Sequence, residues 1–193
     1  MPSAIVLNLT RYSDTGSIAH LYTAEHGRMQ YVVYGNKLKG LLRPLSIIEF
    51  VATRRNNAPN QMGTLSSVSL LYTPQRLPIE VQRQCVAMFM AEVLGNTLRH
   101  PMSDEPLYDW ICEVIRHLDQ DTDISNLHLH FMMEYATLLG IGIDDTEHPE
   151  WFVAPNNRSE RQQRLRELTA YYEEHIEDFR TPKSLDVLIE VFD

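Results

Sequence analysis

The sequence is poor in the features that most often give a function away. Its 193 residues include two cysteines, Cys85 and Cys112, set singly and with no CxxC pair. Such spacing offers neither a zinc site nor a disulfide framework, and it suits a reducing cytoplasm. No apolar run approaches the ~20 residues that a membrane helix requires. The first residues, MPSAIVLNLTRYS, show no basic start followed by a long apolar stretch, so a secretory leader is not expected. There is no GxSxG, no glycine-rich phosphate loop and no HExxH, and Ser, Cys and His form no persuasive nucleophile set. Neither catalysis nor a cofactor is therefore expected. Internal repeats and low-complexity segments are also missing.

Basic residues are scarce, and unevenly so. Seventeen Lys and Arg face twenty-six Asp and Glu, a net charge of −9. An acidic surface repels phosphates, which taken alone speaks against a nucleic-acid partner. The average conceals a split. Residues 1–73 hold seven Lys and Arg against three Asp and Glu, whereas residues 74–193 hold ten against twenty-three. Parts of opposite sign imply different partners.

The local pattern changes at the same place. Five short runs rich in β-branched and apolar residues, 3–12, 17–23, 28–34, 41–53 and 64–72, read as strands. Gly27 can supply the positive φ that the tight turn at AEHG needs, and Pro44 marks an edge or a bulge. This spacing fits a small closed barrel, with a small open sheet as the competing arrangement. Two prolines near residues 72–78 mark the change to a helical period. Helices are expected over 77–99, 103–120, 123–140 and 156–179, with a last short one near the end. Ile79, Val86, Phe89 and Val93 supply the apolar face of the first. The expected fold is α+β: a five-stranded barrel over 1–75, then an α-helical bundle over 76–193.

The cations of the first part are Arg11, Arg28, Lys37, Lys39, Arg43, Arg54 and Arg55, mostly at turns and strand ends. Barrels of the oligonucleotide-binding type bind along one face and its adjoining loops. Cations there neutralise phosphates and aromatics stack on bases, for which Tyr12, Tyr22, Tyr31 and Tyr34 are candidates. The competing reading is that solvated loops simply carry Lys and Arg. A second basic run, Arg158, Arg161, Arg164 and Arg166, opens a helix whose end is acidic, an order that opposes the helix dipole. Either salt bridges to acidic neighbours stabilise it, or it docks an acidic partner or a phosphate. Asp144, Asp145, Glu147 and His148 could ligate a divalent cation, but consecutive loop residues read better as a solvated acidic loop. His128 falls on an apolar stripe and reads as a core residue.

The segments AIVLNLTRYSDTGSIAHLYTAEHGRMQYVVYG (4–35), LLRPLSIIEF (41–50), AMFMAEVLGNTLR (87–99), LHFMMEYATLLGI (129–141) and KSLDVLIEVF (183–192), in this order, resemble the RecO family of bacterial recombination mediators, closest to its Bacteroidetes type. The resemblance implies an OB-fold followed by a helical domain. It implies binding of single- and double-stranded DNA, strand annealing, and help in loading the recombinase onto DNA covered by single-strand-binding protein. The partners it implies are RecR and the acidic C-terminal tail of single-strand-binding protein, in a cytoplasmic, nucleoid-associated setting and without enzymatic turnover. Gly27-Arg28 matches the family's turn followed by arginine. Lys37 and Lys39 stand in a thinned version of its basic run. Cys85 and Cys112 cannot supply the four-cysteine zinc site of some members, and the chain is shorter than most between Gly142 and Arg158.

Overall fold

The computed structural model describes residues 1–53 and 62–192. Five strands, β1 (Ser3–Arg11), β2 (Gly16–Thr23), β3 (Gly27–Tyr34), β4 (Ile47–Thr53) and β5 (Gly63–Leu70), close into a barrel in the order β1-β2-β3-β5-β4. All pairings are antiparallel except the short parallel contact of Tyr31 and Val32 with Gly63 and Thr64. This is the five-stranded barrel of the OB type.

Two bulges let the alternation of apolar residues follow the curvature. On β1 the register shifts between Val6 and Asn8, so Ala4, Val6 and then Leu9 all face inward. Opposite Val51 and Ala52 the pairing jumps from Ser67 to Leu65, which brings both Leu65 and Val68 inside. Ser66, the extra residue, donates its hydroxyl to the carbonyl of Val51 at 3.1 Å. Bulges of this kind increase local twist, which closure of so few strands demands.

The run expected as one strand over 41–53 is instead split. Asn36–Leu41 form a short helix, α1, and β4 begins only at Ile47. Leu38 and Leu41, three apart, pack against the barrel core, and α1 lies against β3 and β5. Burial of that apolar pair favours a helix where the local sequence, with two lysines and a glycine, shows little periodicity.

The helices that follow are α2 (Val81–Thr97), α3 (Glu105–Gln120), α4 (Leu127–Leu138), α5 (Arg158–His175) and α6 (Leu185–Val191), with a 3₁₀ turn at Pro149–Phe152. Asp104 caps α3 by accepting from the amide of Leu107 at 3.0 Å, and Pro106 occupies its first turn, as the sequence suggests. Val86, Phe89 and Val93 are buried as expected, but Ile79 precedes α2 and is 74% exposed.

By compactness the chain divides into two units. One comprises Met1–Pro74 with Leu98–Ile115; the other comprises Gln75–Thr97 with the chain from Arg116 onward. In the first, Tyr108 of α3 lies near Tyr22, ring centroids 6.3 Å apart. In the second, α2 packs on α6 and α4 on α5. Its chain start is fixed by Asp119, buried to 1% exposure, whose carboxylate accepts the amides of Gln75, Arg76 and Leu77 at 2.7–3.1 Å. Beside it Arg83, also 1% exposed, donates to Glu80 at 2.7 Å and to the carbonyls of Leu118 and Asp121. Both buried charges are thus compensated within a single network.

Candidate nucleic-acid interface

The fold gathers some of the expected cations and separates others. Arg11 ends β1, next to the β1–β2 loop, and pairs with Asp14 at 3.1 Å. Both side chains are almost fully exposed, and a pair so hydrated is worth little and yields readily to a competing anion. The ammonium of Lys39 on α1 donates to the carbonyl of Thr15 at 2.9 Å, which ties the helix to the same loop. Lys37, exposed, lies two residues earlier on α1. Tyr12 is 58% exposed and Tyr34 48%. Gly16, paired with Tyr34 in the sheet, leaves room for its ring, since a Cβ there would sit 3.0 Å from it. Arg11, Lys37 and Lys39 thus share one end of the barrel with two exposed phenol rings.

Arg28 belongs to the opposite end. Six residues of extended chain, about 20 Å, separate it from Tyr34 on β3. Its guanidinium is half-buried, donates to the carbonyl of Leu98 at 3.0 Å and approaches Nδ1 of His20 at 3.4 Å. Burial and, after it, the charge of Arg99 lower its pKa below the usual arginine range. His20 is likewise lowered, first by burial and then by Arg28. Gln30 also approaches Nδ1 of His20, at 3.3 Å, and Oγ1 of Thr10 lies 2.9 Å from Nε2. Two donors at Nδ1 fix the neutral tautomer with its proton on Nε2, directed at Thr10. The result is a polar row, Thr10, His20 and Gln30, across three strands.

Tyr31 differs from its sequence reading. It is 8% exposed, belongs to the barrel core and packs on Phe50 with ring centroids 5.3 Å apart, so its faces are not offered to a base. Tyr22 is buried as well. Exposed Arg43 stands at the turn into β4; its carbonyl accepts the amide of Ser46. Arg54 and Arg55 lie outside the described residues. Sequence reasoning missed Arg99 and His100, which count with the acidic second part but belong to the barrel's compact unit. No local signal marks them, because the chain returns to that unit only after α2. The same return brings Asp104, Glu105, Asp109 and Glu113, so the unit holds eight Lys and Arg against seven Asp and Glu.

The arginines of α5 divide between two places. Arg158 and Arg161 line a narrow cleft with His128 and Phe192, and Arg161 donates to Oδ1 of Asn126 at 3.0 Å. Arg164 is 8% exposed and donates to the carbonyls of Trp151 and Val153, which seats the 3₁₀ turn on α5. Asn157 caps this helix by accepting from the amide of Glu160 at 3.0 Å, and the carboxylate of Glu160 accepts the amide of Asn156. This reciprocal cap offsets the unfavourable order of charges. In the acidic loop, Asp144 accepts both the amide and the hydroxyl of Thr146, which hold its carboxyl below the usual range. His148 stacks on Trp151 at 4.0 Å. Among the described residues no three His, Cys, Asp or Glu are grouped to hold a metal ion, and no helix is long and apolar enough to cross a membrane.

A closed OB-type barrel with cations and tyrosines at its β1–β2 loop, continued by helices, defines a class: barrel proteins of the oligonucleotide-binding type with an appended helical domain. Two family models cover most of the sequence. The recombination protein O N-terminal model matches residues 2–74 and the recombination protein O C-terminal model residues 80–150. The chain belongs to the RecO family. It is 29% identical to the DNA repair protein RecO of Phocaeicola vulgatus over 97% of both chains. It is 28% identical to that of Porphyromonas gingivalis over 98% of both, and 27% identical to that of Bacteroides fragilis over 98% of this chain and 97% of the relative.

Proposed function

We propose that the protein is a recombination mediator that acts by binding rather than by turnover. Membership of the RecO family gives it a place in recombination repair. In the proposed mechanism the barrel binds single- and double-stranded DNA, brings complementary strands together for annealing, and helps load the recombinase onto DNA covered by single-strand-binding protein. One observation carries this reading: Arg11, Lys37 and Lys39 lie with exposed Tyr12 and Tyr34 at the end of the barrel that holds the β1–β2 loop. Phosphates are neutralised by the cations while bases stack on the two rings. Arg43 contributes further charge, and Arg54 and Arg55 are added to the proposal from the sequence alone. Arg28 positions the hairpin and contributes charge without leaving its carbonyl partner. Tyr12 and Tyr34 take the stacking role for which Tyr31 is too deeply buried.

The partners proposed with it are RecR and the acidic tail of single-strand-binding protein. Arg158 and Arg161 suit the tail, since their cleft also offers the apolar surface of Leu188 and Phe192.

The test is the salt dependence of single-stranded DNA affinity. With several phosphates engaged, affinity should fall steeply between ~50 and ~200 mM salt. Lys37→Ala and Lys39→Ala should each flatten the log–log slope by about 0.7. Tyr34→Ala should cost about 1–3 kcal/mol. A flat salt dependence together with intact binding of the tail peptide would instead mark an adaptor that does not touch DNA, the reading the net charge of −9 favours.

A further inference from the structure

We propose that the helical part carries a second docking groove, which takes a basic segment of a partner protein anchored by one large apolar side chain. The groove, about 280 Å³, runs between α4 and the 3₁₀ turn. Leu129, Met133 and Thr137, spaced four apart on α4, form one wall, and Trp151 to Pro155 the other. Its lip leaves Phe152 53% exposed and Val153 63%. Exposed apolar residues beside a hollow with a polar rim are the anatomy of a protein contact.

The charge of the rim selects the partner. Beyond Val153 and Ala154 the groove opens into a second hollow, about 650 Å³, bordered by Glu150, Glu160 and Glu167. Glu134 borders the first. Against these four carboxylates stand Arg164, which lines both hollows and whose guanidinium is already bonded to backbone carbonyls, and two imidazoles, His130 in the lining of the first hollow and His148, whose Nδ1 lies 3.4 Å from Glu150. Glu167 accepts from Nε1 of Trp151 at 3.0 Å and from Gln163 at 2.8 Å. Glu160 accepts from Asn156 and Asn157, each at 2.8 Å. All four donors are neutral, so they orient the carboxylates without cancelling their charge. A lysine or arginine next to an apolar anchor meets complementary charge here, and the exposed ring of Phe152 favours a cation further. An acidic segment meets repulsion. The groove therefore differs in sign from the Arg158–Arg161 cleft of the same unit, and the two would sort partners by charge.

The test uses the full chain and two labelled peptides, KKLFKK and EELFEE, with affinity read by fluorescence anisotropy at ~50 mM salt. KKLFKK should bind at least about tenfold more tightly than EELFEE. Glu134→Lys combined with Glu150→Lys should weaken KKLFKK about tenfold or more. Glu174→Lys combined with Glu177→Lys, the same charge change at the far end of α5, should leave it within about twofold. Phe152→Ser should weaken it with no change of charge at all. Equal losses in the two lysine pairs would reduce the effect to general attraction and overturn the groove. Preference for EELFEE, or peptide binding that merely dissolves a self-associated form seen in sedimentation, would overturn it as well.

Discussion

His128 is sealed between α4, α5 and α6 at 2% exposure, with Phe192 beside its ring at 5.4 Å. Its Nδ1 has no hydrogen-bond partner. Burial first, and then the charges of Arg161 and His130, push its pKa down to about 3. The unfolded chain protonates this imidazole near pH 6.5. Between those two values the unfolded state holds a proton that the folded state refuses, so stability falls as pH drops below about 6.5, approaching ~1.4 kcal/mol per pH unit. His128→Leu removes that linkage and the orphaned nitrogen together. Urea unfolding should show the variant gaining on the parent steadily from pH 6.5 to pH 4; parallel curves would place the pH dependence elsewhere. The apolar stripe through HLHLHF already assigns His128 to the core. Asp119 shows the other side of legibility. Nothing in HLDQ distinguishes it from a solvated carboxylate at a helix end, because its three amide donors lie more than forty residues away in sequence.

At the scale of elements, legibility followed the reach of the interactions that form each one. Strands with internal alternation and helices with a cap and an apolar stripe, such as α3 and α5, are visible in the sequence because their causes are local. Helix α1 is not, because its apolar pair gains only by packing on a barrel that other strands build. For the same reason the sequence collects the cations of the barrel but not their arrangement. Tyr31 and Tyr34 look alike in RMQYVVY, yet they point to opposite faces of β3, one to Phe50 and the other to solvent. The turns can be ranked by a similar argument. Gly27 and Gly35 both have positive φ, +64° and +81°, so an alanine costs about 1–2 kcal/mol of backbone strain at either. At Gly35 the added Cβ meets nothing within 4 Å, whereas at Gly27 it would lie 2.1 Å from the carbonyl oxygen of Met102. That carbonyl is backbone and cannot turn aside as a side chain would. Gly27→Ala should therefore lower the melting temperature at least about twice as far as Gly35→Ala. Equal shifts would mean that the segment around Met102 gives way without cost.

For the whole molecule, the proposed binding of DNA raises the question of how a chain of net charge −9 and pI near 5.3 would capture a polyanion. The surplus of carboxylates lies outside the barrel's unit, which is close to neutral by count. In the proposed mechanism a nucleic acid approaching from a distance would meet the sum of these charges, whereas one already bound would meet the cations at the β1–β2 loop. The two regimes separate by range. At ~20 mM salt the screening length is about 20 Å and the total charge governs encounter; at ~300 mM it is about 6 Å and only contacts remain. Glu173, Glu174 and Glu177 are exposed at the end of α5. Replacing all three by Gln should raise the association rate for single-stranded DNA a few-fold at the lower salt and not at the higher, with the dissociation rate unchanged at both. Stopped-flow fluorescence with a labelled oligonucleotide measures the two rates separately. A change in dissociation would put these carboxylates at the interface itself. No change in either rate would mean that encounter is governed by the field of the barrel alone, and the acidic body would then have no part in steering DNA.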